Sequence, residues 1–392
     1  MRQPKLKTII LSYFFPPGST GAATVMYNLC KHLPVSSYVV ITARPEFAVK
    51  QGAYDKNLTI EFETIRLPVF DSILSERLKF FLFAVLSGLS LNRKRKLDCI
   101  LAVYPYFSGL FAGYILSKVT GKPLVVYMHD LFSEAKRQAR LYCIWRFLEN
   151  RVLKSASTIL VMNKKYVNHY SNRGIRNLVL FPPSISLSES DLCEHSNISS
   201  SHEDKCPLEI VFTGSAYAAH EDAIAAFLKA AKTVKGLHVS FATPMNFGLT
   251  ENLRQQLKEV SIGFLDKQSC LSLQRNADVL FLPLAFRSPY PDEIECAFPC
   301  KLLEYLVAGK PILAVVPENS FVASLIRKHN VGIAVTTPSI EKIVEALERL
   351  KDGQLRDLYG CNAAKTARLF DSRLWSQRLD SMLSELCNTS NK

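Results

Sequence analysis

The chain has 392 residues, enough for two domains of ordinary size with a core each. Hydrophobic residues make up 48% and charged residues 21%, which excludes a disordered polymer, and no apolar run reaches the ~18 residues that a bilayer-crossing helix needs. A formal charge of +13 calls for anionic partners. Nucleic acid is set aside, because basic residues are not interleaved with aromatics and no zinc-finger or helix-turn-helix spacing occurs. An anionic membrane surface and a phosphorylated small molecule remain.

Residues 8–15 read as a first buried strand. Arg2, Lys5 and Lys7 before it imitate a signal peptide, but Pro16, Pro17 and Gly18 stand where a small-residue cleavage site would be. A helix is expected at 20–33, with Val25, Leu29 and Leu33 on one face and Pro34 as its stop. A strand that ends in a glycine-containing loop and opens a helix can aim backbone N–H groups at phosphate, which makes Gly18 and Gly21 candidate ligand residues. Further strands are expected at 38–43, 58–67, 97–104, 123–129, 157–162 and 177–181, and a helix at 142–155.

Within 72–91, Leu78, Phe81, Leu82, Val85, Leu86 and Leu89 share one helical face, and Arg93, Lys94, Arg95 and Lys96 follow. Such a helix can lie in an anionic membrane interface through 72–96, or be an internal helix with solvated charges at its end. His129 and Asp130 end an apolar strand, at the carboxyl edge where ligands of α/β sheets sit. The serine-rich stretch 184–207 breaks the pattern and is read as a linker. It separates a domain at 1–183 from a second at 208–368, with a terminal helical piece at 369–392.

The second half restarts the alternation, with strands at 208–213, 237–242, 261–265, 277–284, 311–316 and 332–335 and helices at 222–232, 340–350 and 372–386. Strands alternating with helices in both halves imply α/β architecture with parallel sheets covered on both faces. Glu304 opens a short helix between the strands 277–284 and 311–316, where an open sheet offers its ligand crevice, and a carboxylate there suits a polyol such as ribose. The ten cysteines are scattered; Cys296 and Cys300 are the closest, with no second pair to complete a metal site, and such usage suits a reducing cytoplasm.

The run F-P-C-K-L-L-E-Y-L-V-A-G-K-P-I-L at 298–313 resembles the donor-nucleotide signature P-S-K-hh-E-Y-h-A-h-G-K-P-hh (h apolar) of the family 4 glycosyltransferases, with Cys300 where Ser is usual. Residues 12–23 resemble that family's P-P-x-x-G-G loop, with Ala22 for its second glycine. V-V-Y-M-H-D-L-F-S-E at 125–134 resembles its H/R-D-L-W-P-E segment. The resemblance covers almost the whole chain and implies a GT-B fold, two Rossmann-like domains facing each other across a cleft. The first domain would take the acceptor and the second the donor, and the last helix would cross back to the first.

The resemblance also assigns roles. Glu304 accepts hydrogen bonds from the ribose hydroxyls, His129 meets the donor sugar or its developing charge, and Asp130 or Glu134 orients the acceptor. Backbone from Phe264 through Asp266 to Lys267 reads the nucleobase edge, and Leu302 lies in the donor signature. The family usually holds the pyrophosphate with an Arg or Lys after the strand 208–213; here His220 stands near the Lys position, and Lys301, Arg287 and N–H groups near Gly214 are the substitutes. The acidic residue common eight positions before Glu304 is Cys296 here, with Glu295 one residue off.

The implied activity is retaining, metal-independent transfer from a UDP- or GDP-type nucleotide sugar to a saccharide acceptor on a lipid carrier. No cofactor is expected. Cell-surface polysaccharide or lipopolysaccharide assembly at the cytoplasmic membrane face is the expected setting, with the protein cytoplasmic or peripheral on that face. A nucleotide-sugar epimerase on the same fold, releasing free isomer, and a non-catalytic binding protein are the alternatives.

Overall fold

The computed structural model describes residues 7–18, 20–44, 61–67, 73–104, 106–131, 133–134, 140–188, 207–243 and 249–390. The chain divides into two compact units, Met1–Ser186 with Ser372–Lys392, and Leu187–Asp371.

Unit 1 is built on seven strands, β1 (Thr8–Ser12), β2 (Tyr38–Ala43), β3 (Glu63–Leu67), β4 (Cys99–Tyr104), β5 (Leu124–Met128), β6 (Thr158–Val161) and β7 (Leu178–Leu180). They pair in the order β3-β2-β1-β4-β5-β6-β7, all parallel. β1, β2, β4 and β5 are buried at every residue, as apolar runs covered on both faces must be. The first six strands have the doubly wound order, and its switch point lies between β1 and β4.

The helices of this sheet are α1 (Gly21–Cys30), α2 (Ile73–Arg95), α3 (Phe107–Thr120), α4 (Tyr142–Ser155) and α5 (Lys164–Asn172). α1 starts after Thr20, whose hydroxyl caps it by accepting from the Ala23 N–H at 3.3 Å, and it ends at Cys30, three residues short of the expected stop. α2 packs on α3 through Phe80, Ala84 and Gly88; a Cβ on Gly88 would lie 2.5 Å from the Leu116 side chain. The other side of α2 leaves Leu78, Leu82, Phe83 and Leu86 exposed by 60%, 51%, 40% and 63%. The helix thus has an inner packing face, as the internal-helix reading of 72–96 expects, and an outer apolar stripe. Among the described residues, no helix is long and apolar enough to cross a membrane.

Unit 2 has five parallel strands, β8 (Leu208–Thr213), β9 (Leu237–Ala242), β10 (Val279–Pro283), β11 (Ile312–Val315) and β12 (Gly332–Val335). Their order is β12-β11-β10-β8-β9, with the switch point between β8 and β10. The strand expected at 261–265 reduces to one bridge from Ser261 to Phe241. Gly263 takes φ +82°, and Ile262 and Phe264 face solvent, so nothing holds an extended pairing beyond Ser261. The helices are α6 (Glu221–Ala231), α7 (Glu251–Lys258), α8 (Lys267–Asn276), α9 (Pro291–Cys296), α10 (Cys300–Ala308), α11 (Phe321–His329), α12 (Ile340–Arg349) and α13 (Gly353–Ala367). α13 packs on α10, and its Gly360 admits this approach: a Cβ there would meet the Gly309 carbonyl oxygen at 2.4 Å.

After unit 2 the chain returns to unit 1 as α14 (Ser372–Ser390). The Ser372 N–H donates to the Ile185 carbonyl at 2.9 Å, which pins the outgoing and returning strands of chain together. The division falls there, a few residues from the boundaries expected at 183 and 369. Of the expected strand 58–67, residues 58–60 lie outside the described residues, as do 189–206 of the linker.

Candidate functional site

In unit 2, β8 delivers Thr213 and Gly214 to the carboxyl edge of the sheet, and α10 brings Lys301, Glu304 and Tyr305 to the same place. The Tyr305 hydroxyl accepts from the Thr213 N–H at 3.1 Å. The amide of Gln274, wholly buried on α8, donates to the Thr213 hydroxyl at 2.8 Å and to Glu304 Oε2 at 3.3 Å. Lys267 Nζ lies 3.5 Å from Glu304 Oε1. The carboxylate is thus fixed from two sides while its side chain stays 22% exposed, free to accept hydroxyl hydrogens from a polyol.

Lys301 is the second feature. Its Nζ is shielded from solvent, has no hydrogen-bond partner among the described residues, and sits 3.8 Å from the centroid of the Phe212 ring. Burial pushes its pKa down to about 7, against the opposing pull of Glu304. Gly214 lies against it, where a Cβ would make ordinary contact at 3.5 Å from Nζ, while its φ of +93° favours glycine. A buried amine without a hydrogen-bond partner among the described residues, at the switch point of a doubly wound sheet, is chemically suited to receive an anion.

Other residues singled out in the sequence are placed differently. The Gly214 N–H donates to the Ala242 carbonyl and the Ala216 N–H to the Thr243 hydroxyl, so these loop amides, expected to help with phosphate, are already engaged. Leu302 is wholly buried and its N–H donates to the Pro299 carbonyl, so it is a core residue rather than a ligand contact. Arg287 is exposed, with its backbone N–H donating to Asp222 at 2.8 Å. Asp266 caps α8, accepting from the Ser269 N–H at 2.9 Å, and Phe264 is 69% exposed.

Unit 1 holds a separate cluster. The Gly18 N–H donates to the Phe15 carbonyl within the turn after β1, and Gly21 opens α1. His129 follows β5, is buried edge-on against Tyr127 with centroids 4.3 Å apart, and neither ring nitrogen has a hydrogen-bond partner among the described residues. Burial lowers its pKa to about 3, so the ring is neutral and offers one N–H and one lone pair. Asp130 is exposed, while the protein packed around its carboxyl raises it to about 6.

The segment after β5 is tied down at three points. The Tyr166 hydroxyl donates to the His129 carbonyl at 2.8 Å. Arg173 donates to the Ser133 hydroxyl at 3.1 Å, and the Tyr142 hydroxyl donates to Glu134 at 3.1 Å, with His169 at 3.7 Å. Arg173 also donates to Glu149 and Asn150, both at 2.5 Å. Sequence reading missed Gln274, Tyr166 and Arg173, because each acts on a partner tens of residues away. Gln274 alone left a trace, as a polar residue inside the helix that precedes β10.

Residues 19–189 match the family model described as Glycosyltransferase Family 4, and residues 207–352 the one described as Glycosyl transferases group 1. No curated protein matches the chain in sequence. Among solved structures, HepE of Anabaena in complex with UDP-glucose is 16% identical with a TM-score of 0.67, over 97% of this chain and 100% of that one. Sucrose-phosphate synthase from Thermosynechococcus elongatus is 13% identical with a TM-score of 0.70, over 98% and 100%. WaaG, a glycosyltransferase involved in lipopolysaccharide biosynthesis, is 14% identical with a TM-score of 0.65, over 96% and 99%.

Proposed function

Because the chain belongs to the family 4 (group 1) glycosyltransferases and has their GT-B fold, we propose that it transfers a sugar from a nucleoside-diphosphate donor to a saccharide acceptor, retaining the anomeric configuration and needing no metal. The observation that carries this reading is the pairing, on α10, of a positioned carboxylate and a shielded amine: Glu304 for the ribose and Lys301 for the diphosphate. A cation beside the leaving diphosphate stabilises the charge that develops as the glycosidic bond breaks. On this reading the charge of the leaving group falls to protein cations.

The first test is a thermal shift of the protein against UDP, GDP, ADP and CMP, since a ligand that binds only the native state raises its stability. HepE was solved with UDP-glucose, which makes UDP the first nucleotide to try. A shift with one diphosphate supports the donor site and names its base; no shift with any of the four sinks the reading. Release of free nucleotide-sugar isomer without transfer would instead identify an epimerase.

In unit 1, neutral His129 is suited to donate an N–H to a donor-sugar hydroxyl or to the charge that grows there, with Asp130 and Glu134 orienting the acceptor. His129→Ala is expected to lower kcat by about 100-fold while nucleotide affinity stays within about twofold. Equal turnover in steady-state assays would remove His129 from the chemistry.

The exposed stripe of α2 and the adjoining Arg93, Lys94, Arg95 and Lys96, all exposed, support docking on an anionic membrane, where a lipid-linked acceptor of surface polysaccharide or lipopolysaccharide assembly would be met. Neutralising those four residues should cut flotation with anionic liposomes by more than tenfold at low salt, at about 1 kcal/mol per charge. Flotation indifferent to the four charges would refute the docking.

A further inference from the structure

His220 lies against the same Phe212 ring as Lys301, and the reading above has not used it. It ends the turn between β8 and α6, is 4% exposed, and its Nδ1 is buried without a hydrogen-bond partner among the described residues. Both side chains flank the Phe212 ring, the His220 ring with its centroid 6.2 Å away and Lys301 Nζ 3.8 Å away. His220 immediately precedes α6, and Lys301 stands in the first turn of α10. With the Gly214 and Ala216 amides engaged elsewhere, an anion in this place has few donors left but these two side chains.

We propose that His220 is a second cation of the donor site, uncharged in the ligand-free protein, and that it takes up a proton from solvent when a diphosphate lodges beside Lys301. The inference rests on the nucleotide-diphosphate reading of unit 2. Without the anion, the Lys301 charge opposes a positive charge on His220 in a poorly solvated place. Burial and the Lys301 charge hold the imidazole well below its ordinary value, and burial holds Lys301 near 7. A diphosphate reverses both effects, because it pairs with each group and relieves their repulsion.

The surrounding charges do not supply that reversal. Glu304, on the same helix as Lys301, faces Lys301 and raises it, but is itself held by Lys267 and Gln274. Cys300 adds a smaller pull in the same direction. Across the turn, Asp222 accepts from the Phe286 and Arg287 N–H groups and Glu221 from the Thr250 N–H, so both carboxylates are committed. Cys270 and Tyr305 feel the Glu304 charge, and the Tyr217 ring centroid lies 4.3 Å from that of the His220 ring.

The test is calorimetric titration of the full chain with UDP and with GDP at pH 8 and 9, in two buffers of different ionisation enthalpy. At these pH values the terminal phosphate of the nucleotide is already ionised, because its last proton leaves near pH 6. The difference in heat between buffers counts the protons taken up. Uptake is expected to exceed one proton per nucleotide at pH 8, and affinity should fall by about tenfold per pH unit for each proton bound. His220→Asn should lower the count by about one and flatten the pH dependence while binding persists.

Binding with an uptake of one proton or less in the wild type overturns the role of His220 even if the variant does not fold, and leaves the nucleotide site standing. An unchanged count in a folded His220→Asn overturns it as well. No binding of either nucleotide removes the donor-site reading and this inference with it.

Discussion

Glu304→Ala is expected to lower affinity for the cognate nucleoside diphosphate by about 100-fold or more. Hydrogen bonds to a charged group are worth about 1.5–3 kcal/mol each, and a ribose presents two hydroxyls to the carboxylate. A second effect adds to the first. The Glu304 charge holds the Lys301 amine up at about 7, so its removal lets burial push that amine lower still, leaving less of it charged at neutral pH. The loss in the variant should therefore be larger at pH 8 than at pH 6. Glu304→Gln, which keeps the shape and the Gln274 neighbour but not the charge, should fall between. Calorimetry or a thermal-shift titration reads both, and wild-type affinity in Glu304→Ala would remove the residue from the donor site.

Arg173→Ala is expected to destabilise unit 1 by about 3–5 kcal/mol. The guanidinium is 4% exposed and Glu149 is fully buried, so cutting the side chain away strands a charge in the interior. It also removes the donors to Asn150 and Ser133, and leaves the Tyr170 hydroxyl as the remaining donor on Glu149, at 3.2 Å. Replacing both partners, Arg173→Met with Glu149→Met, should cost less than Arg173→Ala alone, because no unpaired charge remains. Urea unfolding curves test the order, and a loss below about 1 kcal/mol for Arg173→Ala would show that water reaches Glu149.

Strands were the most legible part of the chain. Runs such as T-I-I-L-S, C-I-L-A-V-Y and L-V-V-Y-M lie covered on both faces, and that burial is written directly in their composition. The segment 261–265 misled for a local reason, since Gly263 at φ +82° turns the backbone out of the strand. Glu304 was legible through the motif around it, and Lys301 through the same motif. The environment of Lys301 was not, because its lack of a partner depends on Phe212 and His220, some eighty residues earlier, and on Gly214 and Ala216 spending their amides elsewhere. The ties on His129 and Ser133 were hidden for the same reason: Tyr166 and Arg173 reach them from another helix and its end. Periodicity reports which face of an element is buried and is silent on which distant side chain meets it.

The return of α14 to unit 1 sets an order on synthesis. Leu379 and Leu383 are wholly buried, Trp375 stacks edge-on against Phe181 at 5.1 Å, the Ser376 hydroxyl donates to the Leu29 carbonyl at 2.5 Å, and the Tyr38 hydroxyl donates to Asp380 at 2.8 Å. Unit 1 emerges first from the ribosome, yet that part of its core stays open until all of unit 2 has been made. Unit 2 is one continuous stretch of chain and can close as soon as it emerges. The earlier half of the polypeptide is therefore the later half to finish folding, and a ribosome stalled near residue 371 would hold a complete second unit joined to an unfinished first one.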